Sequence, residues 1–230
     1  MIEQNKVDAY QFADYWVDVG TVDAYLNTSL ELCEPDSPLN LWDPNFVIRT
    51  RSQERPPVKT SVQGQVVRSL VSNGCTIHGR VEHSVLSPGV YVSPGAIVRD
   101  SVIMNDTWIG PGAVVDTTVI DKKVVVGSGV QLGGGDDNTP NAEMPDRLSG
   151  GISIVGKGAH LPANIRVGRN VLVQADVDAN AVEGYEVIPS GSTINRDGVL
   201  LPPPSAEPDP PPEVSEVNPI ETEGNEEESA

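Results

Sequence analysis

The chain has 230 residues, 33 of them acidic and 15 basic, and a formal charge of −18 at neutral pH. A surface this acidic argues against nucleic acid or an anionic membrane as partner. The length allows one or two domains with a sizeable core.

The opening Met1-Ile-Glu-Gln-Asn-Lys lacks the apolar stretch of a signal peptide, and no run reaches membrane-spanning length. Cys33 and Cys75 form no disulfide framework, metal spacing or redox pair. A reduced, cytoplasmic setting is therefore expected. Residues 1–20 are mixed and gather Tyr10, Phe12, Tyr15 and Trp16, a large share of the few aromatics. Thr21 is placed to cap a helix of roughly a dozen residues, in which Val22, Tyr25, Leu26 and Leu30 make one apolar stripe. Pro35 and Pro38 end it. From Leu39 to Pro57 the sequence is irregular, with Arg49, Arg51 and Arg55 close together.

From about Val66 a six-residue repeat takes over, clearest in Leu86-Ser-Pro-Gly-Val, Val92-Ser-Pro-Gly-Ala, Ile109-Gly-Pro-Gly-Ala and Val126-Gly-Ser-Gly-Val. Every third hexad is shortened to five (Val98 to Ile103, Val115 to Ile120), so a full coil takes about seventeen residues. This is the period of a parallel β-helix with three short strands per coil. Leu86, Val92, Val98, Ile103, Ile109, Val115, Ile120, Val126 and Leu132 should stack as an apolar interior. Val90, Ala96, Val102, Thr107, Ala113, Val119, Val124 and Val130 should narrow the corners. The fourth residue of each hexad must turn, which suits Gly89, Gly95, Asp106, Gly112 and Gly129. Pro88, Pro94 and Pro111 precede three of these glycines, the order of a type II turn.

The repeat breaks after Leu132. Residues 133–151 are polar and rich in glycine and proline, so a loop projecting from the stack is predicted. Register resumes at Val155, Leu161, Val167 and Val173, with turns at Gly158, Asn164, Asn170 and Asp176, and an irregular strand near Val187 to Ile194 finishes it. The repeat domain thus spans 66–196. Residues 197–230 carry proline and acidic residues without apolar periodicity and should be disordered.

Three segments carry a family resemblance. Tyr15-Trp16-Val-Asp18-Val-Gly20-Thr21 with Asp23-Ala-Tyr25 resembles the end of the nucleotidyltransferase domain of bacterial glucose-1-phosphate adenylyltransferases. Val47-Ile48-Arg49-Thr50 followed by Pro56-Pro57-Val-Lys59 resembles that family's linker. Gly135-Asp-Asp-Asn138-Thr-Pro140-Asn141 with Gly151-Ile-Ser-Ile-Val155-Gly156-Lys157 resembles its β-helix insertion. The resemblance covers roughly residues 7–196. It implies a mainly β fold, a left-handed parallel β-helix of hexapeptide repeats, preceded by a short α/β remnant of the nucleotidyltransferase domain over 1–38 and a linker over 39–65.

It also implies a reaction, in which ATP and glucose 1-phosphate give ADP-glucose and pyrophosphate for glycogen biosynthesis. The sugar phosphate attacks the α-phosphorus of the nucleotide with Mg²⁺ neutralising charge, so positioning and electrostatics do most of the work. By resemblance Asp18 aligns with a metal-binding aspartate, and Trp16 lines the glucose 1-phosphate pocket. The family's glycine-rich nucleotide loop, its sugar-phosphate-binding lysine and the partner aspartate for the metal have no counterpart among these 230 residues. The expectation is a fragment or split product that does not catalyse alone. It would supply oligomerisation and allosteric control, and meet ATP and glucose 1-phosphate only with the missing domain, as a homo-oligomer or beside a catalytic subunit.

Rival readings stay open. A stand-alone hexapeptide acyltransferase would use a coil histidine among His78, His83 and His160, and a non-catalytic regulatory subunit would need only the β-helix. The three histidines cannot share one ion, because His160 lies nearly four coils beyond His78, on the order of 18 Å at a strand spacing of about 4.8 Å. Arg49, Arg51 and Arg55 read either as solvated linker charges or as a site for an anionic effector. Asp136-Asp137-Asn138 lacks a calcium-loop pattern and reads as a surface turn.

Overall fold

The computed structural model describes residues 8–50 and 53–203. Arg51, and the part of the expected disordered tail from 204 onward, lie outside the described residues.

The repeat builds a three-sided parallel solenoid. One face has six strands, from Lys59–Thr60 to His160–Leu161; the second has seven, from Gln65–Val67 to Val187–Ile188; the third has eight, from Leu70–Val71 to Leu200–Leu201. Coils pair in register, so Ile109 sits between Val92 and Val126, and Ile103 between Leu86 and Ile120. In-register stacking places like positions over one another. The first residues of the hexads therefore fall into three interior columns: Ile77, Val92, Ile109, Val126 and Leu161; Val81, Val98, Val115, Leu132, Val167 and Ile188; and Leu86, Ile103, Ile120, Val155, Val173 and Ile194. All of these are at most 2% exposed. Burying one such side chain stabilises by about 1.5–3 kcal/mol, and each coil gains it only by resting on its neighbours.

The turn positions behave as the hexads require. Gly89, Gly95, Asp106, Gly112, Gly129, Gly158, Asn164, Asn170 and Asp176 all have positive φ. Gly89 is constrained twice, since a Cβ there would also collide with the Arg55 guanidinium.

The third corner corrects the sequence reading. Val102 and Val119 do not narrow the interior; they face outward and pack with Leu26, Leu30 and Ile152. Dropping one residue from the hexad moves the corner position back to Ser101 and Thr118. Their hydroxyls, with that of Ser84, form a ladder along the stack. Ser84 Oγ accepts from the Ser101 amide (3.1 Å) and Ser101 Oγ accepts from the Thr118 amide (3.1 Å), while the same hydroxyls donate to the Glu82 and Arg99 carbonyls (2.6 Å each). Buried polar atoms are thereby satisfied without a side-chain partner from elsewhere.

The outward valines receive α1 (Val22–Glu31). Thr21 caps it, its hydroxyl accepting from the Ala24 amide at 3.1 Å. The apolar stripe is turned onto the third face, with Leu26 and Leu30 buried and Val22 and Tyr25 partly covered.

Two further differences concern the ends. The stack opens with Lys59–Thr60, ahead of Val66. At the other end α2 (Ala179–Val182), capped by the Asp178 side chain, lays Val182 into the core. The chain then turns at Asn195–Gly198, and Leu200–Leu201 returns antiparallel to Thr193–Ile194. Regular structure thus continues past residue 197, where the composition places the start of the tail.

The 133–151 segment is a strap rather than a projection. Asn141 is buried, and its side-chain amide donates to the carbonyls of Asn170 and Ser192 (3.0 Å each). Its oxygen accepts from the amides of Glu143 (3.0 Å) and Met144 (3.1 Å). Asn170 reciprocates, donating to the carbonyls of Asn138 (3.1 Å) and Thr139 (3.0 Å) and accepting from the Gly151 amide (2.7 Å).

Candidate functional site

Trp16, Asp18 and Arg49 lie in an arm, 8–50, that leads into the stack, whereas Arg55 and the histidines lie beyond it. Trp16 is 74% exposed. Asp18 is exposed and its carboxylate accepts from the Gly20 amide at 3.0 Å, a local turn. Tyr15 donates its hydroxyl to Glu31 of α1 at 2.7 Å, which joins this segment to the helix and raises the phenol above its ordinary value. Among the described residues no group of three His, Cys, Asp or Glu side chains could hold a metal ion. Asp18 supplies one carboxylate, and Mg²⁺, which takes one or two carboxylates with phosphate oxygens and waters in octahedral geometry, fits it only as one member of a set completed by other groups.

Arg49 and Arg55 are treated differently by the fold. Arg49 is exposed. Arg55 lies over Gly74 and Gly89 and makes a two-pronged ion pair with Asp106, Nη1 to Oδ1 at 2.6 Å and Nη2 to Oδ2 at 3.1 Å. Its Nε donates to Gln53 at 3.0 Å. The Asp106 carboxylate raises the guanidinium above its usual value. Together with the bond from the Gly74 amide to the Pro56 carbonyl (2.7 Å), the pair fastens the incoming chain to the first coils.

The histidines are apart. His78 stands beside Tyr91, ring centres 5.4 Å apart. His160 is exposed at the edge of the first face. His83 is held between two carboxylates, Nδ1 at 2.6 Å from Asp100 and Nε2 at 3.1 Å from Glu34.

The strap creates a feature that the sequence reading misses. A cleft of about 390 Å³ opens between its first residues and the second face, lined among others by Gln131, Asp137, Arg166, Val187 and Ser190. The Thr139 hydroxyl and amide bond to Asp137 and hold its carboxyl below the usual carboxylate range. Polar residues at the outward positions of the strands, Gln131 and Arg166, are the available signal.

Comparison with known proteins agrees with this geometry. Residues 56–155 match the family model described as GlmU-like, C-terminal hexapeptide. Over 196 residues the chain is 50% identical to glucose-1-phosphate adenylyltransferase of Thermomicrobium roseum, covering 85% of this chain and 46% of that protein. It is 39% identical over 192 residues to the enzyme of that name from Acetivibrio thermocellus, covering 84% of this chain and 45% of the relative. The corresponding protein of Fervidobacterium nodosum is 37% identical over 185 residues, covering 79% and 44%. The chain therefore spans about half the length of the curated relatives it matches.

Proposed function

The chain is a homologue of the C-terminal, β-helical portion of the glucose-1-phosphate adenylyltransferases, and from that premise we propose that it serves as the assembly and regulatory part of such an enzyme. Catalysis then needs a nucleotidyltransferase half, on the same polypeptide or on a separate subunit. The observation that carries this reading is the match over 85% of this chain and only 46% of the relative. The arm supports it. Trp16, Trp42 (73%), Phe46 (63%) and Val47 (67%) are exposed there, while the stack interior is closed. Exposed apolar side chains gathered in one region fit a surface that another domain covers.

In this reading the reaction joins glucose 1-phosphate to the adenylyl group of ATP with loss of pyrophosphate. Trp16 is proposed to border the sugar phosphate. Asp18 is proposed as this chain's single contribution to a magnesium site whose other ligands come from the nucleotidyltransferase half. Magnesium would supply charge neutralisation on the transferring phosphate; the residues of this chain position and do not complete the site. Arg49 and Arg51 remain proposed contacts for an anionic effector. Arg55 is proposed to reach one only by giving up Asp106. Oligomer formation through the solenoid and a cytoplasmic setting belong to the same proposal; among the described residues no helix is long and apolar enough to cross a membrane.

The test is ADP-glucose synthesis from ATP and glucose 1-phosphate. The purified chain alone should give none, and addition of a nucleotidyltransferase half from a relative should restore it. In the restored enzyme Asp18→Asn and Trp16→Ala should each lower the rate roughly tenfold or more. Synthesis by the chain alone would overturn the proposal.

A further inference from the structure

We propose that His83 is a proton-operated latch that holds the C-terminal end of α1 on the coil stack. The third corner of the solenoid places Arg68, His83 and Asp100 at successive levels of one column, with φ of +45°, +41° and +47°. Backbone bonds fix that conformation: the His83 amide donates to the Val67 carbonyl at 3.0 Å, and the Asp100 amide to the Glu82 carbonyl at 3.3 Å. The left-handed turns throw these side chains outward in a row. Glu34, just past the end of α1, reaches into the row and meets both Arg68 and Nε2 of His83, the latter at 3.1 Å. Nδ1 of His83 lies 2.6 Å from Asp100.

Both ring nitrogens thus face carboxylate oxygens, which only accept. A neutral imidazole has one N–H and can serve only one of them; the imidazolium serves both. With His83 protonated, Glu34, Asp100, Arg68 and His83 sum to zero charge. With it neutral they sum to −1, and a lone pair faces a carboxylate. Three other groups border the cluster. Arg99 lies near Asp100 but bonds Asp116, Glu82 is taken up by Arg80, and Cys33 beside Glu34 has its thiol pushed up by burial. Arg68 keeps its hold on Glu34 when His83 deprotonates, so the latch loosens rather than opens. This inference stands independently of the catalytic assignment.

Hydrogen exchange of the whole chain at about pH 5.5 and about pH 8, corrected for intrinsic rates, reads the latch. Protection of the α1 amides should fall about 1.5- to fivefold at the higher pH, the range expected of partly exposed charge pairs, with the interior strands unchanged. His83→Asn keeps a residue type that tolerates the left-handed backbone, and it should abolish the step. Glu34→Gln acts from the helix side without touching the coil and should shrink it. Equal protection of the wild type at both pH values, or a full step surviving in either variant, would overturn the latch.

Discussion

The stack and the arm divide the chain's apolar residues in opposite ways. In the stack, Ile77, Ile109, Ile120 and Ile194 are fully buried by residues of the same repeat; in the arm, Trp16, Trp42 and Phe46 are mostly exposed. Only α1 escapes this division, because Leu26 and Leu30 find Val102 and Val119 on the third face. A repeat that supplies its own neighbours completes its core within one chain. The arm does not, and it carries Trp16 and Asp18, the residues proposed to meet substrate and metal.

The sharpest way to break this comparison is to truncate one side chain in each region. Ile120→Ala should cost about 2–5 kcal/mol in denaturant unfolding, as a cavity opens between coils that cannot collapse. Phe46→Ala should stay within about 0.5 kcal/mol. Next in size is the strap. Asn141→Ala leaves the Asn170 carbonyl and two strap amides without their partner and should cost about 1–3 kcal/mol. Thermal unfolding of the variant would register it, with the loss expressed first in the strap. Ser101→Ala removes one rung of the corner ladder and should cost about 1 kcal/mol. A measured change near zero would mean that the ladder merely accompanies the shortened hexad. Asp106→Asn, at the partly exposed pair with Arg55, should cost about 0.2–1 kcal/mol and lose its effect at high salt.

The smallest effect concerns pH. The Asp137 carboxyl is lowered by its bonds from Thr139, so its contribution is fully present above the ordinary aspartate value and is lost only as pH falls through the lowered one. Asp137→Asn should flatten the acid limb of strap stability, measured by exchange of the strap amides.

The stack is readable from the sequence because its period is short and its punctuation chemical. Glycine, asparagine and aspartate stand at most of the positions where φ turns positive, and an aliphatic residue stands where the chain faces inward. What the period does not carry is the consequence of losing one residue. The five-residue hexad turns Val102 and Val119 outward, puts hydroxyls at the corner and so builds the seat for α1. Nor does it carry contacts between distant segments. Asn170 is legible as a turn, but its clasp on Asn138 and Thr139 spans about thirty residues. Arg55 reads as a linker charge or an effector contact, and not as half of an ion pair, because Asp106, its partner, lies 51 residues away. The candidate site is legible only through resemblance, since nothing in the spacing of Trp16 and Asp18 distinguishes them from surface residues.

In the proposed reading the stack is complete in itself while the arm awaits a nucleotidyltransferase half. Hydrogen exchange over residues 8–50 and over the strands from Thr76 to Val173, with and without that half, tests it most directly. Strand protection should stay unchanged, and protection in the arm should rise strongly on either side of α1. An arm that is already protected alone, or that stays unprotected in the complex, would contradict it.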